Sequence, residues 1–270
     1  MELRGPSAEA LSTLESQLVA EVATVGSRKT AQVGEELFGL ASVLRSTPSL
    51  RRVLTDATVE ANAREGLVRQ VFEDKVDGIT MHVLVTGVRH RWTAGRDLAD
   101  VLEHLGVGAV VRSADDAGRL ADELFAVARL LNDNPDLRSA VGDPTRSQAD
   151  RRALLDGLLS GKTLAATSRL VDQSLAGSYR TVSAAILDYQ KIAADVHGER
   201  VATVRSARAL TDTELARLQG ALTAQYDREV HLNVIVDPRV IGGIRVEIGD
   251  DVIDGTVVSR LDDARRKLAG

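Results

Sequence analysis

A chain of 270 residues is long enough to bury a real core, in one to three domains of ordinary size. Its 44% hydrophobic and 27% charged residues describe a globular protein, and with 3% aromatics its abundant Ala, Leu and Val lean towards helix packing. A formal charge of −5 argues against a general nucleic-acid binder, which needs a basic surface, and the absence of cysteine excludes disulfides, thiolate catalysis and Cys-ligated metal centres.

No run of about 18 apolar residues exists to span a bilayer, and no apolar signal-peptide stretch follows the charged Met1 to Gly5. Membrane association is therefore expected to run through a partner. The five prolines, Pro6, Pro48, Pro135, Pro144 and Pro238, leave long helical stretches between them, because an interior proline removes a helix hydrogen bond and clashes with the preceding turn. Ser113-Ala-Asp-Asp116 reads as an N-cap for a helix with Leu120, Leu124, Val127 and Leu131 on one face, stopping near Asn132-Asp-Asn-Pro135. Ser147-x-x-Asp150 caps a second, whose Leu154, Leu155, Leu158 and Leu159 form an apolar stripe ended by Gly161.

A shift of 87 residues exposes a duplication. Glu36-Leu37-Phe38 falls on Glu123-Leu124-Phe125, and Ala41, Leu44, Pro48, Leu50, Arg51 and Asp56 fall on Ala128, Leu131, Pro135, Leu137, Arg138 and Asp143. Arg64 over Arg151, Leu67 over Leu154 and Trp92 over Tyr179 continue the match more weakly. Two copies of one helical fold are expected, not a long solenoid.

After about Ala194 the period changes. Val201 to Val204 reads as a strand, Leu232, Val234 and Val236 alternate imperfectly, and Ile244, Val246 and Ile248 alternate cleanly with Arg245 and Glu247. Between them Thr211-x-x-Glu214 is a capping box for a helix whose Leu215, Leu218 and Leu222 form the buried face. A last helix is expected from about Thr256 to Leu268. The fold class is mainly α: a duplicated N-terminal helical bundle, then a small α+β domain.

The stretch from His231 to Asp250, with its Asp237-Pro238 turn, Gly242-Gly243 step and Gly249, resembles the signature of the delta subunit of bacterial F-type ATP synthases and of its mitochondrial counterpart, the oligomycin-sensitivity-conferring protein. Val252-Ile253-Asp254-Gly255-Thr256 followed by Arg260-Leu261 resembles the continuation. The helical part from about residue 95 resembles the family's six-helix domain, and residues 1–94 resemble the extra copy of long variants. The resemblance implies three parts: 1–94 as the duplication, 95–195 as the head-binding domain and 196–270 as the stalk-binding domain.

It implies a non-catalytic stator subunit with no cofactor, catalytic residue or metal. Its implied partners are N-terminal helices of the alpha subunits and the C-terminal helical part of the b subunit, at the cytoplasmic face of the cell membrane. A helix-in-groove contact needs a trough between helices. The candidate lies between the helix around Asp97 to Val111 and that around Arg169 to Ala176, with Leu102, Leu105, Arg169 and Gln173 lining it. Gly242, Gly243, Gly249, Asp254 and Gly255 are family-signature residues with a structural role, glycine allowing positive φ or close backbone approach.

Other features have plainer readings. Asp250, Asp251 and Asp254 lack calcium-loop spacing and read as turn acids. His82, His90, His104, His197 and His231 are scattered, without an HExxH pair. Gly106-Val107-Gly108 begins like a nucleotide fingerprint, but Val111 stands where a third Gly or Ala belongs. Arg89, Arg91 and Arg96 around Trp92 read as a solvated face or a grip for an acidic partner. A free helical adaptor carrying a similar C-terminal domain is the alternative, separable by co-purification with alpha and b subunits.

Overall fold

Pro6, Pro48 and Pro135 each open a helix, where the missing N–H has no intrahelical partner to lose. The protein is described by a computed structural model for residues 3–176, 178–197, 200–227, 230–238, 240, 242–248 and 251–255. The chain forms two units, Met1–Ala193 and Ala194–Gly270. The helices are α1 (Pro6–Val22), α2 (Ser27–Ser46), α3 (Pro48–Thr55), α4 (Ala61–Phe72), α5 (Gly78–Arg89), α6 (Asp97–Arg112), α7 (Ala117–Asp133), α8 (Pro135–Gly142), α9 (Gln148–Leu159), α10 (Ala165–Ser174) and α11 (Val182–His197), the last crossing the division.

The 87-residue shift carries Pro48–Thr55 onto Pro135–Gly142 and Ala61–Phe72 onto Gln148–Leu159, the bounds of α8 and α9. Shifted in the same way, α1 falls on α6, and α6 falls on α11. One helix therefore closes the first copy and opens the second. Packing explains how it serves both: thirteen of the 16 residues of α6 are buried, on all sides of the helix. Leu98, Val101, Leu102, Leu105 and Ala109 share one core with Leu14 and Leu18 of α1, Leu37, Leu40 and Leu44 of α2, and Val83, Leu84 and Val88 of α5. Burying each such side chain is worth roughly 1.5–3 kcal/mol. Residues on both sides of the expected division at 94/95 thus share one core.

Local hydrogen bonds repeat with the same shift. The Glu36 carboxylate accepts from the Asp77 N–H (2.7 Å) and the Thr80 hydroxyl (2.6 Å), as Glu123 accepts from the Leu164 N–H (2.8 Å) and the Thr167 hydroxyl (2.5 Å). Asp56 accepts from both the N–H and hydroxyl of Thr58, as Asp143 does from Thr145. Lys75 donates to the Val71 carbonyl, and Lys162 to that of Leu158. Buried stripes correspond too: Val33, Leu37, Leu40, Ala41 and Leu44 in α2, and Leu120, Leu124, Val127, Ala128 and Leu131 in α7.

Two helix details differ from the sequence reading. Ser113 does not cap α7. It closes α6, its hydroxyl donating to the Val110 carbonyl (2.7 Å), and Asp116 caps α7 by accepting from the Arg119 N–H (2.9 Å). Ser147 does cap α9, but only Leu155 of the expected stripe is fully buried and Leu158 is exposed.

The second unit holds β1 (Arg200–Ser206), α12 (Asp212–Tyr226), β2 (Val230–Val236), β3 (Ile244–Ile248) and β4 (Asp251–Asp254), with sheet order β2-β1-β3-β4. β1 and β2 run parallel, so the chain must cross over between them, and α12 is that crossover. β3 pairs antiparallel with β1 and β4. Ala202, Val204, Leu222, Val230, Val246 and Ile248 form the core, with Leu210 and Leu218 packed against it. The Thr211–Glu214 capping box forms as read. In β2 the alternation fails: Val236 is exposed and Asn233 is buried. The helix expected from Thr256 to Leu268 lies outside the described residues.

Candidate functional site

The residues read as trough-lining come together, but not as an open trough. Leu102 and Leu105 are buried in the core and face no partner. Arg169 instead reaches back to α2, its Nε donating to Glu35 Oε1 at 2.5 Å. Gln173 donates to Glu103 Oε1 at 2.8 Å. α6 is buried on every side, and its leucines pack against the protein's own helices.

The unforeseen residue at this place is Glu103, 3% exposed. One carboxylate oxygen accepts from Gln173, from the Ser178 hydroxyl (2.7 Å) and from the Tyr189 hydroxyl (2.9 Å). The other accepts from Arg45 of α2 at 2.6 Å, and Arg45 also reaches Asp100 at 2.9 Å. A buried carboxylate is costly unless paired and fully hydrogen-bonded, and here both conditions hold. Burial and the neighbouring Glu103 charge push the Tyr189 phenol up; burial and the hydrogen bond to Asp188 do the same for Tyr179, whose ring meets Tyr189 edge-on. Burial works against the Arg45 guanidinium, but Glu103 and Asp100 hold it above its ordinary value. These groups fasten α2, α6, α10 and α11 to one point. The sequence around it, Asp100-Val-Leu-Glu-His104, reads as readily as a surface charge.

The signature glycines act on the backbone. Gly242 and Gly243 have φ of 65° and 78°, the left-handed region closed to most side chains. Gly255 donates its N–H to the Ile244 carbonyl at 2.9 Å, and a Cβ there would stand 3.1 Å from that oxygen. Asp251 and Asp254 are the ends of edge strand β4 and not turn acids, with Asp254 opposite Arg245. Gly249 and Asp250 lie outside the described residues.

Gly106-Val107-Gly108 lies within α6 and is no phosphate loop: its N–H groups belong to a helix interior, and Gly106 packs against Phe38. His82 pairs with Glu21 at 2.8 Å, and Arg89 pairs with Glu65, while Trp92 donates its ring N–H to the Gly87 carbonyl. Among the described residues no group of three His, Cys, Asp or Glu could hold a metal ion, and no helix is long and apolar enough to cross a membrane.

The family model for the ATP synthase delta (OSCP) subunit matches residues 18–94 and 108–268. The chain belongs to this family. ATP synthase subunit delta of Nocardioides sp. is 53% identical over 270 residues, covering 99% of this chain and 98% of that protein. The same subunit from Kineococcus radiotolerans is 39% identical, covering 97% and 95%, and that of Streptomyces avermitilis 38%, covering the whole of both. The matched lengths include both helical copies. This delta-family chain is thus a non-catalytic subunit of the ATP synthase, a stator component linking F1 to the peripheral stalk. The free-adaptor alternative is set aside by these full-length matches.

Proposed function

We propose that the two units of this chain divide the stator's work: the helical unit holds N-terminal segments of the alpha subunits at the top of the head, and the α+β unit engages the C-terminal helical part of the b subunit. The observation that supports this is the construction itself. Among the described residues the first unit is built of helices, α6 serving both copies, and the second unit carries the four-stranded sheet. Resisting rotor torque during proton-driven ATP synthesis calls for rigid bodies with large interfaces, not for chemistry. The chain would sit peripherally at the cytoplasmic face of the cell membrane, held there by its partners.

The test is native mass spectrometry of the full chain with the catalytic head and with the soluble part of the b subunit. One copy bridging both is the expected outcome; binding to only one of them would sink the division. Gly243→Val separates the units. At φ of 78° a β-branched residue is strained by about 1–2 kcal/mol, so stalk binding should weaken more than head binding. Equal loss of both contacts would refute the assignment of units.

A further inference from the structure

The trough between α6 and α10 already has an occupant. α2 lies along α6 and reaches α10, and its contacts are matched side by side. Glu35 meets Arg169 of α10, and Arg45 meets Asp100 and Glu103 of α6. Between them the backbones close up: a Cβ on Gly34 would stand 2.9 Å from the Gly106 carbonyl, and one on Gly106 only 2.6 Å from the Phe38 ring. Glu103 ties the same point to Gln173 and Tyr189 on the far side.

We propose that α2 is the permanent resident of the second copy's trough, so that this copy is closed from within and offers no seat there to a helix of another subunit. The duplication shows the contrast directly. Among the α6 residues that meet α2 are Ala99, Asp100, Glu103, Gly106 and Val110; the 87-residue shift places them on Ser12, Thr13, Ser16 and Val19 of α1 and on Ala23 just after it, all exposed. The same helix face is covered in one copy and bare in the other. Where it concerns the head, the inference rests on the proposed stator contacts.

The chain has no cysteine, which makes a crosslinking test clean. In the full chain, Glu35→Cys with Arg169→Cys, joined by a short bis-maleimide, fixes α2 to α10. If α2 never leaves, the crosslinked chain binds the isolated catalytic head within about twofold of the uncrosslinked one; a loss of about tenfold or more, absent from the singly labelled variants, overturns the proposal. Hydrogen exchange on the free chain gives a reading that does not depend on the head. Amides of residues 34–44 should exchange as slowly as those of α6, and exchange at the rate of a frayed helix would overturn the proposal by itself. Slow exchange with no head binding by either form would leave α2 in place and defeat the stator contacts instead.

Discussion

The two helical copies keep the same turn and clasp hydrogen bonds at Asp56/Asp143 and Glu36/Glu123 and differ where helices meet. In the first, Gly34 and Gly106 bring α2 and α6 backbone against backbone; the equivalent positions of the second are Ala121 and Ala193. The first copy ends in Leu102 at the position where the second has Tyr189, so an apolar contact in one becomes a hydrogen bond to Glu103 in the other. The Asp56 and Asp143 turns and the Glu36 and Glu123 clasps thus survive duplication because each is satisfied within its own copy, whereas side-chain caps do not: Ser147 caps α9 but Glu60 leaves α4 uncapped, and Asp77 caps α5 but Leu164 has no side-chain acceptor for α10. Interfaces diverge because α6 has to be the last helix of one bundle and the first of the next.

The junction is where this contrast should break first. Glu103→Ala leaves Arg45, Gln173 and Tyr189 facing an empty site, and stripping one partner from a buried ionic network costs about 3–5 kcal/mol. Urea unfolding should show that loss, with amide protection in α10 and α11 falling more than in α4. A change below about 1 kcal/mol would mean that the hub carries no weight.

The interface difference predicts opposite responses to one methyl group. Gly34→Ala forces a Cβ within 2.9 Å of the Gly106 carbonyl and 2.7 Å of Val110, and should cost about 2 kcal/mol. Ala121→Gly, at the equivalent place in the second copy, should instead cost about 0.5–1 kcal/mol, the ordinary penalty of a helical glycine. Thermal unfolding of both variants checks the pair, and stabilisation by Gly34→Ala would remove the close approach from the account. By contrast, Glu36→Gln and Glu123→Gln should each lose about 1 kcal/mol of charge-assisted hydrogen bonding to equivalent N–H and hydroxyl donors, with Glu123→Gln also giving up the Arg119 ion pair where Glu36 has only Gln32.

What the sequence made legible follows the same line. The prolines, the Ser147 and Thr211 caps, the 87-residue repeat and the positive φ at Gly242 and Gly243 are local features, fixed by residues near each other. The trough was misread because an apolar pattern marks burial without saying against what: Leu102 and Leu105 face the chain's own helices. Leu98, Val101, Leu102, Leu105, Val107, Val110 and Val111 surround α6, and an all-round apolar helix belongs inside a bundle. Glu103 was not legible, because its four donors come from positions 45, 173, 178 and 189 and only the fold brings them together.

The smallest expected effect is one of equality. The Thr58 hydroxyl, then its N–H, hold the exposed Asp56 carboxyl below its ordinary 3.8, and Thr145 does the same for Asp143. A carboxylate lowered on folding adds stability that is fully present above 3.8 and is lost as pH falls through the lower folded value. Both turns should therefore loosen as pH falls below 3.8, and neither should change between pH 5 and pH 8. Asp56→Asn and Asp143→Asn should each abolish that acid response at their own threonine, seen as amide exchange at Thr58 or Thr145 that no longer quickens below 3.8. If one turn responds and the other does not, the two turns differ in spite of their matching hydrogen bonds, and the view that duplication preserved this turn would have to be given up.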